Sequence, residues 1–117
     1  MPSIRDLVAA IRQRDGVDAA IILGRDGLLI DSHLAPGLNA DDVAARIPGI
    51  IGTVDELGIA TVRGDFLTAV LEYRTGLAIV SVLSAEAILL VLLSPRANLG
   101  QLLFELRRNR EHIAALV

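Results

Sequence analysis

A pair of short apolar runs joined by a turn dipeptide constrains this chain more than any other feature. Residues 17–24 and 28–32 flank Asp26-Gly27, a dipeptide that tolerates the positive φ angles of a two-residue type I′ turn. We therefore predict a β-hairpin whose register is fixed by that turn. The facing pairs are Arg25–Leu28, Gly24–Leu29, Leu23–Ile30, Ile22–Asp31 and Ile21–Ser32. An isolated hairpin is marginal in water, so both of its faces need cover from the rest of the chain.

The apolar content of the chain exceeds what one small core usually consumes. Of the 117 residues, 53% are hydrophobic. We expect residues 1–117 to form a single domain with a sizeable core. A two-sided sheet is one explanation of the apolar surplus and an obligate homodimer is the other. We favour the homodimer.

No apolar run reaches the length of a membrane-spanning helix, which needs roughly 18 or more residues. The nearest candidate, residues 77–93, is interrupted by Ser81, Ser84 and Glu86. Residues 1–6 lack the basic and apolar regions of a signal peptide. We therefore expect a soluble, cytoplasmic protein.

The composition excludes several classes of chemistry. The chain has no cysteine, which rules out a disulfide, a thiol nucleophile and a cysteine metal site. All eleven basic residues are arginine, the net charge is −3, and one tyrosine and two phenylalanines are the only aromatic residues. A nucleic-acid binder needs a basic face and stacking rings, so we expect no nucleic-acid partner.

Helical periodicity predicts a helix on each side of the hairpin. Ser3 and Asp6 resemble a capping box in front of an apolar stripe, which predicts a first helix over residues 3–14. Asn39 is placed to cap a middle helix, and Pro48 lies inside the apolar stripe of that helix. Because proline removes a backbone hydrogen bond, we expect the helix to kink or split just before it.

Two glycines follow this proline. Gly49 and Gly52 lie inside the predicted helix, where each glycine costs about 1 kcal/mol relative to alanine. The helix is either locally irregular there, or the glycines allow another backbone to approach closely, as in a helix pair across a dimer.

Three further strands and a last helix complete the chain. Residues 66–73, 77–83 and 87–93 have the composition of strands, and the last run has no polar alternation, which is typical of a strand buried on both faces. The connections are too short for parallel crossovers, so we expect an antiparallel meander. Asn98 is placed to cap the final helix. The order helix, two strands, helix, three strands, helix predicts an α+β fold with three layers (α/β/α) and five antiparallel strands.

Three local sequence words resemble the Roadblock (dynein light chain) domain family, including its bacterial MglB-like members. They are GRDGLLID at residues 24–31, EYRTG at residues 72–76 and SPRANLG at residues 94–100. Each word is common alone, but their order and spacing extend over nearly the whole chain. The resemblance implies the strand order 2-1-5-4-3, with the first and last helices on one face and an uninterrupted middle helix on the other. Pro48 departs from that pattern.

The resemblance also implies a homodimer. In it the middle helices pair and the third strands join into one ten-stranded sheet. The expected dimer interface consists of Val43, Ile47, Ile50, Ile51, Val54, Phe66, Thr68 and Val70. Members of the family are regulators and scaffolds, often of Ras-like small GTPases, and some are GTPase-activating partners. The implied partners are therefore a second copy of the chain and a Ras-like GTPase.

Few residues are able to carry chemistry. Asp31 and His33 share a strand face if the second strand extends that far, but two ligands do not make a metal site, and we expect none. His112 is interpreted as a solvated side chain, and no serine or threonine has a histidine at a spacing that indicates a catalytic triad. Residues 24–27 lack the lysine and the following helix of a phosphate loop. We expect no enzyme activity and no cofactor.

Arginines cluster on the last helix. Arg107, Arg108 and Arg110 form either a solvated face, salt-bridged to Glu105 and Glu111 at helical spacing, or a candidate face for an acidic partner. Two classes of function follow from the sequence. The chain is a dimeric regulator or scaffold, which is our prediction, or a small-ligand sensor or purely structural interaction module.

Overall fold

The computed structural model describes residues 3–116 and confirms the predicted order of elements. The helices and strands are α1 (Ile4–Arg12), β1 (Val17–Gly24), β2 (Leu29–Leu34), α2 (Ala40–Ala60), β3 (Thr68–Tyr73), β4 (Gly76–Val82), β5 (Ala87–Leu93), α3 (Leu99–Arg108) and α4 (Arg110–Ala114). The final helix is divided at Asn109, whose side-chain amide donates to the carbonyl of Glu105 at 2.9 Å. Such a local side-chain bond competes with the regular helix.

The five strands form one antiparallel sheet in the order β2-β1-β5-β4-β3. This confirms the predicted fold class and the strand order implied by the resemblance. The centre of the sheet is the pair β1–β5, in which Ile21 lies opposite Leu90 and Ile22 opposite Leu89. All four side chains are buried. Two strands that are apolar on both sides require a layer of helices on each face.

Two apolar cores fill the space between the sheet and its helices. One core joins α1, α3 and α4 to alternate residues of the strands, including Ile22, Ile79 and Leu89. The other joins α2 to the intervening residues, including Ile21 and Val80. The alternation along each strand therefore assigns every strand side chain to one of the two helical layers.

The hairpin turn differs from the type I′ turn that we predicted. The Gly27 N–H donates to the carbonyl of Gly24 at 3.0 Å, and the Gly24 N–H donates to the carbonyl of Leu28 at 2.8 Å. Gly27 has φ +88°, whereas Asp26 does not have a positive φ. These bonds describe a three-residue loop in which a type I turn is followed by a left-handed glycine and a bulge.

Near the turn, the observed pairing of β1 with β2 differs from the predicted register. The pairs Ile21–Ser32 and Ile22–Asp31 are as predicted, but Leu23 lies opposite Leu29 instead of Ile30. The unpaired extra residue is Ile30 of β2. From Asp31 to Leu34 the pairing with β1 is regular. The predicted register is therefore correct from Ile22 towards the open end of the hairpin and wrong next to the turn.

The helix α2 runs without a break through Pro48, so the predicted split is wrong. Pro48 has no N–H to donate to the carbonyl of Ala44, and the hairpin turn lies over both residues. A Cβ added to Gly27 would lie 3.1 Å from Pro48 Cγ and 3.6 Å from the Ala44 oxygen. Burial of Ile47 and Ile51 under the helix stabilises the continuous form, since packing of an apolar face contributes more to a helix than local propensity does.

Polar contacts add to the packing of the helices on the α1 side. The predicted capping box of Ser3 and Asp6 is present at the start of α1. Arg14, after the end of α1, forms an ion pair with Glu105 of α3. Glu105 thus pairs between helices and not, as its spacing in the sequence suggests, with the arginines of its own helix.

A strained residue ends α2. Val62 has φ +55° and is 91% exposed. The Arg63 N–H donates to the carbonyl of Gly58 at 2.9 Å and the Val62 N–H to that of Ile59 at 3.2 Å, which is a Schellman motif. Glycine usually occupies the left-handed position of this motif, and a β-branched residue is a genuine outlier there.

We expect Gly27→Val to lower the free energy of unfolding by more than about 1 kcal/mol, because a β-branched side chain is strained at positive φ. Gly37→Val is the matched control, since Gly37 has φ +94° but no atom lies within 4 Å of an added Cβ. The loss at Gly27 should exceed the loss at Gly37 because only Gly27 packs on Pro48. Chemical denaturation measures both losses, and an unchanged stability of Gly27→Val would contradict the assigned turn.

We expect Val62→Gly to raise the free energy of unfolding by about 1 kcal/mol, because glycine adopts the left-handed conformation without the steric cost of a Cβ. Val62→Ala keeps the Cβ and should give a smaller gain. Denaturation at one protein concentration compares the two variants with the parent. A loss of stability in Val62→Gly would show that the side chain makes a stabilising contact that outweighs its strain.

Candidate interaction surfaces

Exposed apolar side chains are concentrated in one segment of the chain. Among the described residues, ten large hydrophobic side chains are exposed, and six of them lie between residues 57 and 73. The six are Leu57, Ile59, Val62, Leu67, Val70 and Tyr73. This segment contains the end of α2, the following loop and β3. Single exposed hydrophobic residues need no explanation, but this accumulation makes the segment a candidate interaction surface.

The side of α2 that faces the sheet is consumed by the chain's own core. Ile47 and Ile51, which we placed in the dimer interface, are only 3% and 5% exposed. Their side chains contact the second core and are not available to another chain. Ile47 and Ile51 are therefore removed from the predicted dimer interface. The helical period of the sequence showed that α2 has an apolar stripe, but it did not show which side of that stripe the sheet covers.

One flank of α2 remains partly open, and we call it the α2 shoulder. It consists of Val43, Ile50, Val54 and Leu57, which lie within about 60° of one another at 100° per residue. Val43, Ile50 and Val54 are half-buried, and Leu57 is 61% exposed. Three of the four belong to the predicted interface. The shoulder provides an apolar strip along a helix of 21 residues.

The two helix glycines lie away from this shoulder. Gly49 and Gly52 are exposed, and nothing lies within 4 Å of a Cβ added to either. Gly52 is about 160° around the helix from Ile50. The glycines therefore belong to the outer face of α2, and the α2 shoulder does not contain them.

The sheet surface next to α2 is incompletely covered. The helix lies over β1 and β2, and on the same face Ala78 and Val80 of β4 are buried, whereas side chains around β3 and at the end of β4 remain half-buried. Leu71, Val82 and Phe66 are among these residues, and all three pack against the second core. Phe66 precedes β3, and it is the only member of the predicted interface from this segment that packs on the α2 side.

Thr68 and Val70 face the opposite side of the sheet from α2. They lie opposite Ser81 and Ile79 of β4, and Ile79 belongs to the core under α1 and α3. Val70 is 40% exposed and Thr68 is half-buried. The predicted interface residues of this segment thus lie on both faces of the sheet. The feature that they share is their position at or next to the free edge of β3.

The predicted arginine face is divided by the break at Asn109. Arg107 and Arg108 are exposed at the end of α3, in agreement with a solvated face. Arg110 is half-buried, and its Nη2 donates to Thr68 Oγ1 at 3.0 Å. The prediction that Arg110 faces water is wrong, because at 100° per residue Arg110 lies only about 40° from the buried Leu106, on the side of the last helix that faces the sheet.

The residues considered for chemistry do not converge. The strand β2 does include both Asp31 and His33, but His33 is exposed, and so is His112 on α4. No group of three or more metal-ligating side chains occurs within residues 3–116. Two open clefts of about 520 and 700 Å³ share Arg25, Ser84 and Ala85 at the turn end of the sheet.

Within the described part of the chain, no helix is both long enough and apolar enough to span a bilayer.

Sequence reasoning missed part of the exposed segment. Ile59, Val62 and Leu67 were not singled out, because the apolar residues between 59 and 67 follow neither the helical nor the strand period. The sequence did contain one indication: residues 59–67 include apolar side chains but have no regular period, although they lie between a predicted helix and a predicted strand. Such residues cannot all be buried by the elements that flank them.

Comparison with known proteins identifies relatives in sequence. Residues 4–93 match the family model described as the Roadblock/LC7 domain. An uncharacterized protein of Methanocaldococcus jannaschii is 26% identical over 106 residues, which is 91% of this chain and 92% of that protein. A second uncharacterized protein of the same organism is 28% identical over 106 residues, which is 91% and 89% of the two chains.

Solved structures share the fold. The Roadblock/LC7 domain from Streptomyces avermitilis superposes with a TM-score of 0.83 at 26% identity, covering 97% of both chains. The gliding protein MglB from Thermus thermophilus gives 0.82 at 17% identity, covering 95% of this chain and 85% of that one. MglB from Myxococcus xanthus gives 0.85 at 13% identity, covering 98% and 97%. At these low identities the two MglB structures show similarity of fold alone.

Proposed function

The chain belongs to the Roadblock/LC7 domain family, and from that membership we propose that it is a non-catalytic homodimeric regulator or scaffold that binds a Ras-like small GTPase in the cytoplasm. The regulatory role is the one implied by the sequence words that resemble the family. The observation that carries the proposal is the concentration of exposed apolar side chains between Leu57 and Tyr73. Exposed apolar side chains in this number, on α2 and around the free edge of β3, favour contact with another protein over contact with water.

The homodimer is supported by two surfaces that need cover. The α2 shoulder is an apolar strip, and the neighbouring sheet surface around Leu71 and Val82 is half-buried. A second copy related by a two-fold axis covers both at once, since the same patch on each chain contacts its equivalent. The free edge of β3 lies beside these surfaces. If no second copy covered it, its unpaired backbone groups could pair with strands of other proteins and promote aggregation.

The GTPase is proposed to bind the outer face of α2. Gly49 and Gly52 each cost about 1 kcal/mol in a helix interior relative to alanine, and neither gains a packing contact within the described chain. A backbone without side chains at these positions allows another chain to approach closely. In the dimer, two such faces form one extended platform. The exposed Arg107 and Arg108 form the competing surface.

We expect the protein to have a mass of about 25 kDa in solution, twice the 12.4 kDa of one chain. Light scattering at micromolar concentration measures this mass directly. Leu57→Asp should raise the dissociation constant of the dimer by at least about tenfold, because a carboxylate would be buried without a partner. Leu28→Asp is the matched control, since Leu28 is 70% exposed at the hairpin end. A mass near 12 kDa for the parent protein would exclude the homodimer.

We expect a purified Ras-like GTPase from the same organism to bind the dimer with different affinities in its GDP and GTP states. Gly52→Gln should weaken this binding by at least about tenfold, because a long side chain separates the two surfaces while improving the local helix propensity. Reversal of Arg107 and Arg108 to glutamate should leave the affinity unchanged. Loss of binding on arginine reversal alone would move the site to α3, and no binding in either nucleotide state would remove this GTPase as the partner.

A further inference from the structure

The free edge of β3 presents a defined set of backbone groups. The Val82 N–H donates to the carbonyl of Leu67 at 2.9 Å, and hydrogen-bonded and non-hydrogen-bonded pairs alternate along an antiparallel ladder. Residues 69, 71 and 73 are therefore bonded to β4. Thr68, Val70 and Glu72 direct their N–H and carbonyl groups away from β4, towards the free edge. Their side chains also share one face, the face under α3 and α4.

The same face carries an incompletely bonded arginine. Arg110 donates from Nη2 to Thr68 Oγ1, while its Nη1 is buried and has no hydrogen-bond partner among the described residues. None of the ion pairs within residues 3–116 involves Arg110. A buried charged donor without a partner is destabilising, because its lost hydration is not replaced. An acidic group next to Thr68 would therefore stabilise this arrangement.

The only carboxylate on this face of β3 is Glu72, and it is exposed. In the same chain it lies four residues from Thr68, about 13 Å along the strand, which is too far for contact with Arg110. The Glu72 of a second copy is not limited in this way. Its position depends only on the register of the joined strands.

We propose that two copies of β3 pair in an antiparallel register centred on Val70, and that Glu72 of each copy forms an ion pair with Arg110 of the other. This inference rests on the homodimer proposed above and specifies its geometry. Only even-numbered residues carry groups at the free edge, so hydrogen-bonded pairs join even residues to even residues. With Val70 opposite Val70 of the second copy, all three outward residues of each strand are paired, whereas centring on residue 69 or 71 pairs only two.

The proposed register brings the Glu72 carboxylate of the second copy close to Arg110. Glu72 of the second copy lies opposite Thr68, at a Cα separation of about 5.5 Å, and its side chain points to the face on which Arg110 contacts Thr68. The Arg110 guanidinium already contacts the Thr68 that this carboxylate would face, and rotamer changes that complete such a contact are common at interfaces. Because the two-fold axis repeats the contact, each dimer contains two ion pairs.

Single-cysteine variants test the register, because the natural chain has no cysteine. Under mild oxidation Val70→Cys should form a covalent dimer, since about 5.5 Å between Cα atoms suits a disulfide. Ala69→Cys and Leu71→Cys are matched controls, each reporting a register shifted by two residues. Cross-linking of either control in place of Val70→Cys would overturn the proposed register while leaving the homodimer intact. A monomeric parent protein would instead remove the homodimer itself.

Charge exchange tests the ion pair. Glu72→Arg should raise the dimer dissociation constant by at least about tenfold through repulsion of Arg110, and Glu72→Arg combined with Arg110→Glu should recover most of the loss. Glu111→Arg, which reverses an exposed carboxylate outside β3, should leave the dimer unchanged. If the double variant is no better than Glu72→Arg in a correctly folded protein, the proposed ion pair is wrong. Thermal unfolding verifies that each variant is folded.

Discussion

The central ladder between β1 and β5 is the constraint on which the rest of the structure depends. The two strands are distant in sequence, yet the side chains of Ile21, Ile22 and Leu89 in this ladder are fully buried, and they point to both faces. Such a pair is stable only between two helical layers. The chain provides α1, α3 and α4 on one side but a single helix, α2, on the other. The unequal cover explains why the exposed apolar surface gathers around α2 and β3.

The unequal cover connects the fold to the proposed function. Because α2 lies over β1 and β2, the outer half of the sheet on that side lacks a complete layer, and Leu71 and Val82 stay half-buried. In the proposed homodimer a second copy supplies the missing layer through its own α2. The proposed association also closes the free edge of β3 and gives Arg110 an acidic partner there. The incomplete layer on this side of the sheet is thus the structural feature on which the proposed assembly and the proposed partner platform both rest.

Much of the fold could be predicted from local patterns, and the differences arise where distant contacts decide between local alternatives. Asp26-Gly27 indicates a hairpin, but the same dipeptide fits both a type I′ turn and a type I turn with a bulge. The dipeptide alone does not decide between them, and the sequence does not show that the turn comes to lie next to Pro48 of α2. Local propensity predicted a kink or a split at Pro48, and the helix is not split there, because Ile47 and Ile51 are buried under it. The position of Arg110 is an exception, since the helical period already places it within about 60° of the buried Leu106 and Ile113, and the prediction of a solvated side chain followed its charge instead.

The central claim, that the edge of β3 is paired with a second copy, is tested most directly by amide hydrogen exchange resolved by residue. In a single chain the amides of residues 69 and 71 are bonded to β4, while those of Thr68, Val70 and Glu72 point to solvent and exchange rapidly. In a dimer centred on Val70, we expect the amides of Val70 and its even-numbered neighbours to be protected as strongly as that of residue 71. Alternating fast and slow exchange along β3, at a concentration where the protein is fully associated, would contradict the proposed pairing.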